Sequence, residues 1–323
     1  MKILILRLSS LGDIVLTQPV AAWLRTRYPE AQIDFVVKEQ FVELVTLMGC
    51  ELNPIIYRKS FKAHYALYKT GYDIVLDLHA KLSTYLLKIA SRGKTILTYQ
   101  KARSIRERMV KGDKSLKIGT TVDLYRTALQ RIDEQAKLDV PRLYPSSHSH
   151  IPDLPVAAKR IAIFPGAAHN TKRYPANYYK ELIKNSPNGF QYIILGSQSE
   201  QDLCQTIAED YKAKNLCGEL SFTQLLALLE TCDWVISSDS GPMHLAAALQ
   251  RPQIAIFGAT HPRLGFAPQN PQAHVLCAEL ECQPCSLHGS DSCPLGHFKC
   301  MHDISVESIL NIINQNKGSH NSQ

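Results

Sequence analysis

The chain runs to 323 residues, 45% of them hydrophobic and 20% charged, with a formal net charge of +7. That length suits two domains, and the composition excludes a disordered, collagen-like or disulfide-scaffold protein. The positive charge is lopsided: residues 1–155 hold 24 Lys and Arg against 15 Asp and Glu, whereas 156–323 hold 12 against 14.

The opening run KILILRL (2–8) predicts a strand. It is too short, and too interrupted by Arg7 and Asp13, to be a secretion signal. No stretch reaches the roughly 20 apolar residues of a spanning helix, so a cytoplasmic protein is expected. Its nine cysteines then read as free thiols or metal ligands rather than disulfides. Further strands are predicted at QIDFVV (32–37), YDIVLDL (72–78) and KTILTY (94–99), with helices at about 13–27, 39–48, 61–70, 80–91 and 120–133. The strands are rich in Ile, Leu and Val without alternation, as strands covered on both faces are. From Pro141 to Pro155 the rhythm fails in a proline- and serine-rich stretch that reads as a linker. It restarts with strands at 160–164, 191–196, 234–238 and 253–258 and helices at 176–186, 199–211, 222–231 and 242–250. The expectation is an α/β protein of two Rossmann-like domains, 1–153 and 154–323, hinged about a central cleft, with a frayed tail at 316–323.

Ligands of parallel sheets bind beyond the carboxyl ends of the strands, so the loops there are the candidate sites. The first offers Ser9, Ser10, Gly12 and Asp13. Gly12 permits a tight turn and close approach to backbone. Asp13 lies at a helix start, where the dipole keeps a carboxylate charged and able to accept a proton; the competing reading is that it only caps the helix. The loop lacks the full glycine fingerprint of a dinucleotide site. A second loop, PGAAHNTKRYP (165–175), opens on Gly166 and supplies Lys172 and Arg173. A lysine aimed at a departing phosphate is an electrostatic device, although the pair taken alone reads as two exposed bases. In the third, Asp239 ends the strand WVISS, Ser240 or Gly241 caps the next helix, and His244 lies one turn in. A helix start of this kind binds a diphosphate, and Asp239 suits sugar or ribose hydroxyls; the alternative is an ordinary capped helix. A fourth loop, GSQSEQD (196–202), brings Glu200 toward a nucleoside or simply places it in a first helical turn.

Taken together, LILRLSSLGDIVLTQPV, FPGAAHNTKRYP and SDSGPMHLAAAL resemble the ADP-heptose:lipopolysaccharide heptosyltransferase family in order and spacing. The resemblance implies an inverting, metal-independent GT-B glycosyltransferase that takes heptose from ADP-heptose, needs no cofactor, and adds the sugar to a Kdo or heptose of the phosphorylated lipopolysaccharide core. It implies Asp13 as general base, Lys172 on the donor diphosphate, and Asp239, Ser240, Gly241 and His244 in the donor motif. Gly166 and Glu200 join the donor loops, and Ser9, Ser10 and Gly12 the acceptor side. Where members with heptose donors often carry hydroxyl residues, this chain has Ala167 and Ala168.

Between Arg58 and Lys117 there are 15 basic residues and four acids, a balance that favours an anionic partner. With the resemblance this reads as the acceptor and as peripheral contact with the inner face of the membrane. Phe61, Tyr65, Tyr68, Tyr72, Tyr85 and Tyr99 offer stacking to a nucleic acid, but most sit in patterns that read as core, and no nucleic-acid module is present. A related enzyme with another nucleotide sugar, or a non-catalytic nucleotide- or nucleic-acid-binding protein, are the alternatives. Cys282, Cys285, Cys293 and Cys300 form C-x2-C-x7-C-x6-C among His288, His297 and His302. Free or partly paired thiols are favoured over a structural zinc, because the second pair is spaced too widely for a zinc knuckle, and a redox role is the third alternative. Cys50, Cys204, Cys217, Cys232 and Cys277 read as core.

Overall fold

The computed structural model describes residues 1–145, 150–157, 159–209 and 212–315. The expected tail at 316–323 and part of the expected linker lie outside the described residues. The chain forms two compact units, Met1–Arg103 with Gly119–Ser146, and Ser104–Ile118 with Ser147–Gln323.

In chain order the first half holds β1 (Lys2–Leu6), α1 (Leu11–Val15), α2 (Gln18–Arg27), β2 (Gln32–Val37), α3 (Val42–Thr46), β3 (Asn53–Ile56), α4 (Phe61–Thr70), β4 (Ile74–Asp77), α5 (Leu82–Ala90), β5 (Thr95–Thr98), α6 (Arg103–Val110) and α7 (Thr121–Leu129). Its five strands are all parallel in the order β3-β2-β1-β4-β5. Local signals fix the elements. Pro19 sits in the first turn of α2 with Arg25 and Arg27 in its last. At α7, Thr120 and Asp123 satisfy each other's backbone N–H at 3.2 and 2.8 Å.

The second half continues with β6 (Lys159–Phe164), α8 (Ala176–Asn185), β7 (Phe190–Ile194), α9 (Gln201–Ile207), β8 (Ala213–Asn215), α10 (Phe222–Glu230), β9 (Trp234–Ser238), α11 (Gly241–Ala248), β10 (Gln253–Phe257), β11 (Ala273–Cys277), α12 (Lys299–His302) and α13 (Val306–Gln315). Its parallel sheet runs β11-β10-β9-β6-β7-β8. Numbered within each unit, the orders are 3-2-1-4-5 and 3-2-1-4-5-6, the doubly wound arrangement. The expected class, α/β with two Rossmann-like sheets, is the one the chain adopts. The cores follow the apolar runs. Ile161, Ile163, Trp234, Ile236, Ile254 and Ile256 of the second sheet pack with Ile309 and Ile313 of α13.

Four differences from the sequence reading have physical causes. The edge strands β3, β8 and β11 carry little pattern, being short and paired on one side only. Residues 104–118 count with the second unit because Arg106 donates to the Leu264 carbonyl at 2.8 Å, lies over the Phe266 ring, and is matched by Arg263 donating to the Lys114 carbonyl. Cys277 is half-buried rather than core, since its strand is an edge. Most of the aromatics placed in the core are outside it: Tyr72 is buried, but Phe61 is 85% exposed and Tyr65, Tyr68 and Tyr85 are all exposed. α4 and α5 each already bury another face through Leu67 and Leu87.

Candidate functional site

In each doubly wound sheet the loops at the reversal of strand order lie beyond the carboxyl ends of two adjacent strands. In the first unit these follow β1 and β4, paired Leu6 to Asp77. In the second they follow β6 and β9, paired Phe164 to Ser237. The residues singled out at Asp13, Lys172 and Asp239 all belong to these four loops.

Asp13 sits at the third position of α1, half-buried behind exposed Ser10, half-buried Ser9 and buried Gly12. One oxygen, Oδ2, takes every contact: Arg7 Nη2 at 2.5 Å, the Ser10 hydroxyl at 2.8 Å and the Ser10 N–H at 3.2 Å. Asp13 thus does tie down its turn, as the capping reading requires, but with half of its carboxylate; Oδ1 accepts nothing among the described residues. Burial pushes the Asp13 carboxyl up, and the Arg7 guanidinium with the two Ser10 donors more than offsets this, holding it below the usual carboxylate range. Arg7 is locked from three sides, by Asp13, by the Leu78 carbonyl at 2.5 Å and by the ring of buried Tyr125 at 5.8 Å. The sequence reading passed over Arg7; the signal was a charge inside an otherwise apolar strand, which needs a partner once buried.

The β4 loop adds groups the sequence reading also missed. Asp77 is fully buried and accepts from the backbone of His79 and Ala80 at 3.1 and 2.7 Å, from the Thr84 hydroxyl at 3.1 Å and from Lys88 at 3.0 Å. It orients the loop so that His79 is buried beside it, with Nδ1 unpartnered. Burial, then the Arg7 and Lys81 charges, push the His79 imidazole down to about 4, so it is neutral at physiological pH. Lys101, which donates to the Ala80 carbonyl, is lowered by burial and by Lys81 and Arg7, the mark of several cations around one loop.

In the second unit Lys172 ends a short 3-10 turn, Asn170–Lys172, and its ammonium meets Asp239 Oδ2 at 2.9 Å. Both side chains are largely buried. Thr260 donates to the same oxygen at 2.7 Å, leaving Asp239 Oδ1 without a partner among the described residues. The Lys172 loop is stitched from behind. Thr171 bonds Ser290 through both backbone and hydroxyl at 2.8–3.0 Å, and the Ala259 N–H donates to the Thr171 carbonyl at 3.2 Å. Arg173 donates to the Ala167 carbonyl at 2.9 Å, so it braces its own loop. A Cβ on Gly289 would lie 2.9 Å from Lys172 Cγ, so the lysine stem runs across that glycine. Thr171, Thr260, Gly289 and Ser290 gave no sequence signal, because they act on the motif residues only through folding.

Ser240 precedes α11 with extended backbone, and its hydroxyl donates back to the Ser238 carbonyl at 3.2 Å instead of capping the helix. The start of α11 at Gly241 and Pro242 is therefore free of its own side-chain cap. His244 is buried within that helix. Glu200 Oε2 accepts from the Ser197 N–H and hydroxyl at 2.7 and 2.8 Å, the first-turn role, and its other oxygen would stand 1.7 Å from a Cβ on Gly166. Gly166 and Glu200 are therefore brought together, and only glycine leaves room for that carboxylate. A cavity of about 250 Å³ in the same unit is lined by Met109, Lys111, Lys114, Arg263 and Cys282 and by none of the motif residues.

All nine cysteines are free. Backbone N–H groups from Leu295 to Phe298 outweigh burial at Cys293 and hold its thiol below the usual range, while burial pushes Cys300 up to about 12. Among the described residues, the group whose ligand atoms lie within 4.8 Å of one another is His261, Cys277 and Glu279, not the four-cysteine segment.

A family model described as glycosyltransferase family 9 (heptosyltransferase) matches residues 61–294. Lipooligosaccharide heptosyltransferase 2 of Campylobacter jejuni is 34% identical over 159 residues, 47% of this chain and 49% of that protein, so the match spans about half the relative's length. Lipopolysaccharide heptosyltransferase 1 of Escherichia coli is 25% identical over 290 residues, 82% of this chain and 90% of the relative. The structure of the E. coli ADP-heptose lipopolysaccharide heptosyltransferase II superposes with a TM-score of 0.76 at 24% identity, covering 98% of each chain, a likeness of fold.

Proposed function

Because this chain belongs to glycosyltransferase family 9, the heptosyltransferases, we propose that it transfers heptose from ADP-heptose to a Kdo or heptose of the lipopolysaccharide inner core, with inversion and without a catalytic metal. The first unit takes the acceptor and the second the donor. The observation that carries this reading is the pair of half-used carboxylates at the two switch points, Asp13 kept charged by Arg7 and Asp239 holding Lys172.

The acceptor hydroxyl, held near Ser9, Ser10 and Gly12, gives its proton to Asp13 Oδ1 as its oxygen bonds to the anomeric carbon of the donor. ADP departs from the opposite face. A carboxylate of lowered pKa is a weak base, but the hydroxyl becomes acidic as the new C–O bond forms, so Asp13 takes the proton late. Lys172 and the N–H groups at Gly241 offset the charge growing on the diphosphate. Asp239 Oδ1 accepts a donor hydroxyl, with Ser240, His244, Gly166 and Glu200 completing the donor side. The cations Lys81, Lys101 and Arg7 around the β4 loop favour a phosphorylated acceptor. We place the enzyme in the cytoplasm, in peripheral contact with the inner membrane; no helix among the described residues is long and apolar enough to cross one. Ala167 and Ala168 favour testing other nucleotide sugars alongside ADP-heptose, since this loop offers the donor no hydroxyl there.

The test is ADP release with ADP-heptose and a deacylated core acceptor. Asp13→Asn is expected to slow turnover by roughly 10²–10⁴-fold with donor affinity unchanged. Lys172→Ala is expected to weaken the donor and slow turnover together. An unchanged rate in Asp13→Asn removes the base assignment.

A further inference from the structure

The exposed aromatics of the first unit form one continuous face. On α4, Phe61, Tyr65 and Tyr68 lie at i, i+4 and i+7, hence on one stripe. Their exposures are 85, 46 and 48%. On α5, Leu82, Tyr85, Leu86 and Ile89 form a second stripe at i, i+3, i+4 and i+7, exposed by 84, 55, 59 and 60%. The opposite side of each helix does the core packing: Leu67 and Leu87 join one cluster with Leu4, Leu6 and Val75, so both helices cover the same face of the sheet. The stripes are neighbours, because the Arg92 guanidinium just after α5 lies 4.8 Å over the Tyr68 ring of α4. Phe61 with Tyr65, and Tyr65 with Tyr68, stack at 6.1 and 6.2 Å, so the α4 rings present one ordered row.

An apolar face of this extent on a single unit marks an interaction surface. Its charge identifies the partner. Lys62, Lys69, Lys81 and Arg92 border the stripes with no acidic partner among the described residues, and Lys69 and Arg92 are braced over Tyr65 and Tyr68. The acids of the segment are already engaged, Asp77 buried on Lys88 and Asp73 on Lys94. A positive rim around apolar and tyrosine tips matches an anionic lipid surface, where rings sit at headgroup depth and each cation gains from the surface potential. The same rim disfavours a second copy of this face, which would set like charges against each other.

We propose that the α4–α5 face is the surface by which this protein docks on anionic lipid bilayers. It gives a location to the peripheral contact proposed above and serves an acceptor anchored in lipid. Vesicles of phosphatidylcholine, alone or equimolar with phosphatidylglycerol, test it by co-sedimentation of the full chain. Binding is expected to the anionic vesicles and to weaken with salt. Phe61→Ser, Leu82→Ser and Leu86→Ser combined should lower partitioning on the order of 100-fold. Lys62→Glu with Lys69→Glu should abolish the preference for phosphatidylglycerol. The serine exchanges are all at the surface, so thermal unfolding and turnover of a deacylated acceptor should match the parent. Partitioning unchanged in both variants overturns the proposal. So does light scattering that shows a dimer dissolved by the serine exchanges, which assigns the face to self-association. Lost binding with intact turnover leaves the transferase reading standing, whereas binding without donor turnover in the parent chain removes that reading and leaves the docking surface.

Discussion

Arg7 and Asp13 show how one residue sets the working state of another. The guanidinium is buried against the half-buried carboxylate, and a buried charge that loses its partner is costly, about 3–5 kcal/mol. Arg7→Gln keeps donors toward Asp13 and Leu78 while removing the charge. With the charge gone, burial is opposed only by the hydrogen bonds of Ser10 and the glutamine amide, so the Asp13 pKa rises. The expected outcome is an acidic limb of the kcat/KM–pH profile that moves to higher pH than in the parent, with turnover at neutral pH reduced. A profile that scales down without moving assigns Arg7 a purely structural part. Asp13 itself was legible from its place after a strand and beside a glycine, and Arg7 left a trace as the one charge in an apolar run; Asp77 and His79 were not legible, because their meaning depends on β1 pairing with β4, which no local pattern records.

At the scale of elements, the donor side depends on a seam between the Lys172 turn and the segment around Ser290. Gly289 has φ of +94, which disfavours any side chain, and an added methyl would stand 2.8–3.0 Å from His169 and Lys172. Gly289→Ala should therefore displace the lysine, weaken ADP binding by about 10-fold and cost roughly 1–3 kcal/mol of stability, read by titration calorimetry and thermal unfolding. ADP affinity equal to the parent's would show that Lys172 reaches the diphosphate by another route. The buried strands were readable because their unbroken Ile, Leu and Val runs are what two covered faces require, as at KILIL and QIAIF. The edges were not: β3 begins Asn-Pro, β8 is three residues long, and β11 exposes Val275. α4 and α5 misled in the opposite direction, since apolar residues on both sides of a helix read as core until the sheet claims one side.

For the whole molecule, His79 adds to the loss of stability in acid, alongside the carboxyls held below their usual range at Asp13, Asp73 and Asp113. Its folded value is about 4 against 6.5 for an ordinary histidine, so the unfolded chain binds the extra proton first. The neutral ring is therefore no liability above about pH 6.5, and stability drains away as pH falls toward 4. Over that window the loss is at most roughly 3 kcal/mol at about 1.4 kcal/mol per unit. His79→Gln should flatten this slope in urea midpoints measured from pH 7 to 4; an unchanged slope assigns acid sensitivity to other groups. The two-sheet plan was legible in the alternation of apolar runs, and the break near Pro141 was visible too, but the excursion of 104–118 was not, since only Leu264, Phe266 and Arg263 reveal where it belongs. That excursion has a consequence for biosynthesis. The segment leaves the ribosome long before the carbonyl of Leu264 exists, so it must wait, unfinished, while well over a hundred further residues are made. Cutting the gene at the proline-rich stretch would strand it on the wrong fragment, so the second half expressed by itself would lack part of its own unit.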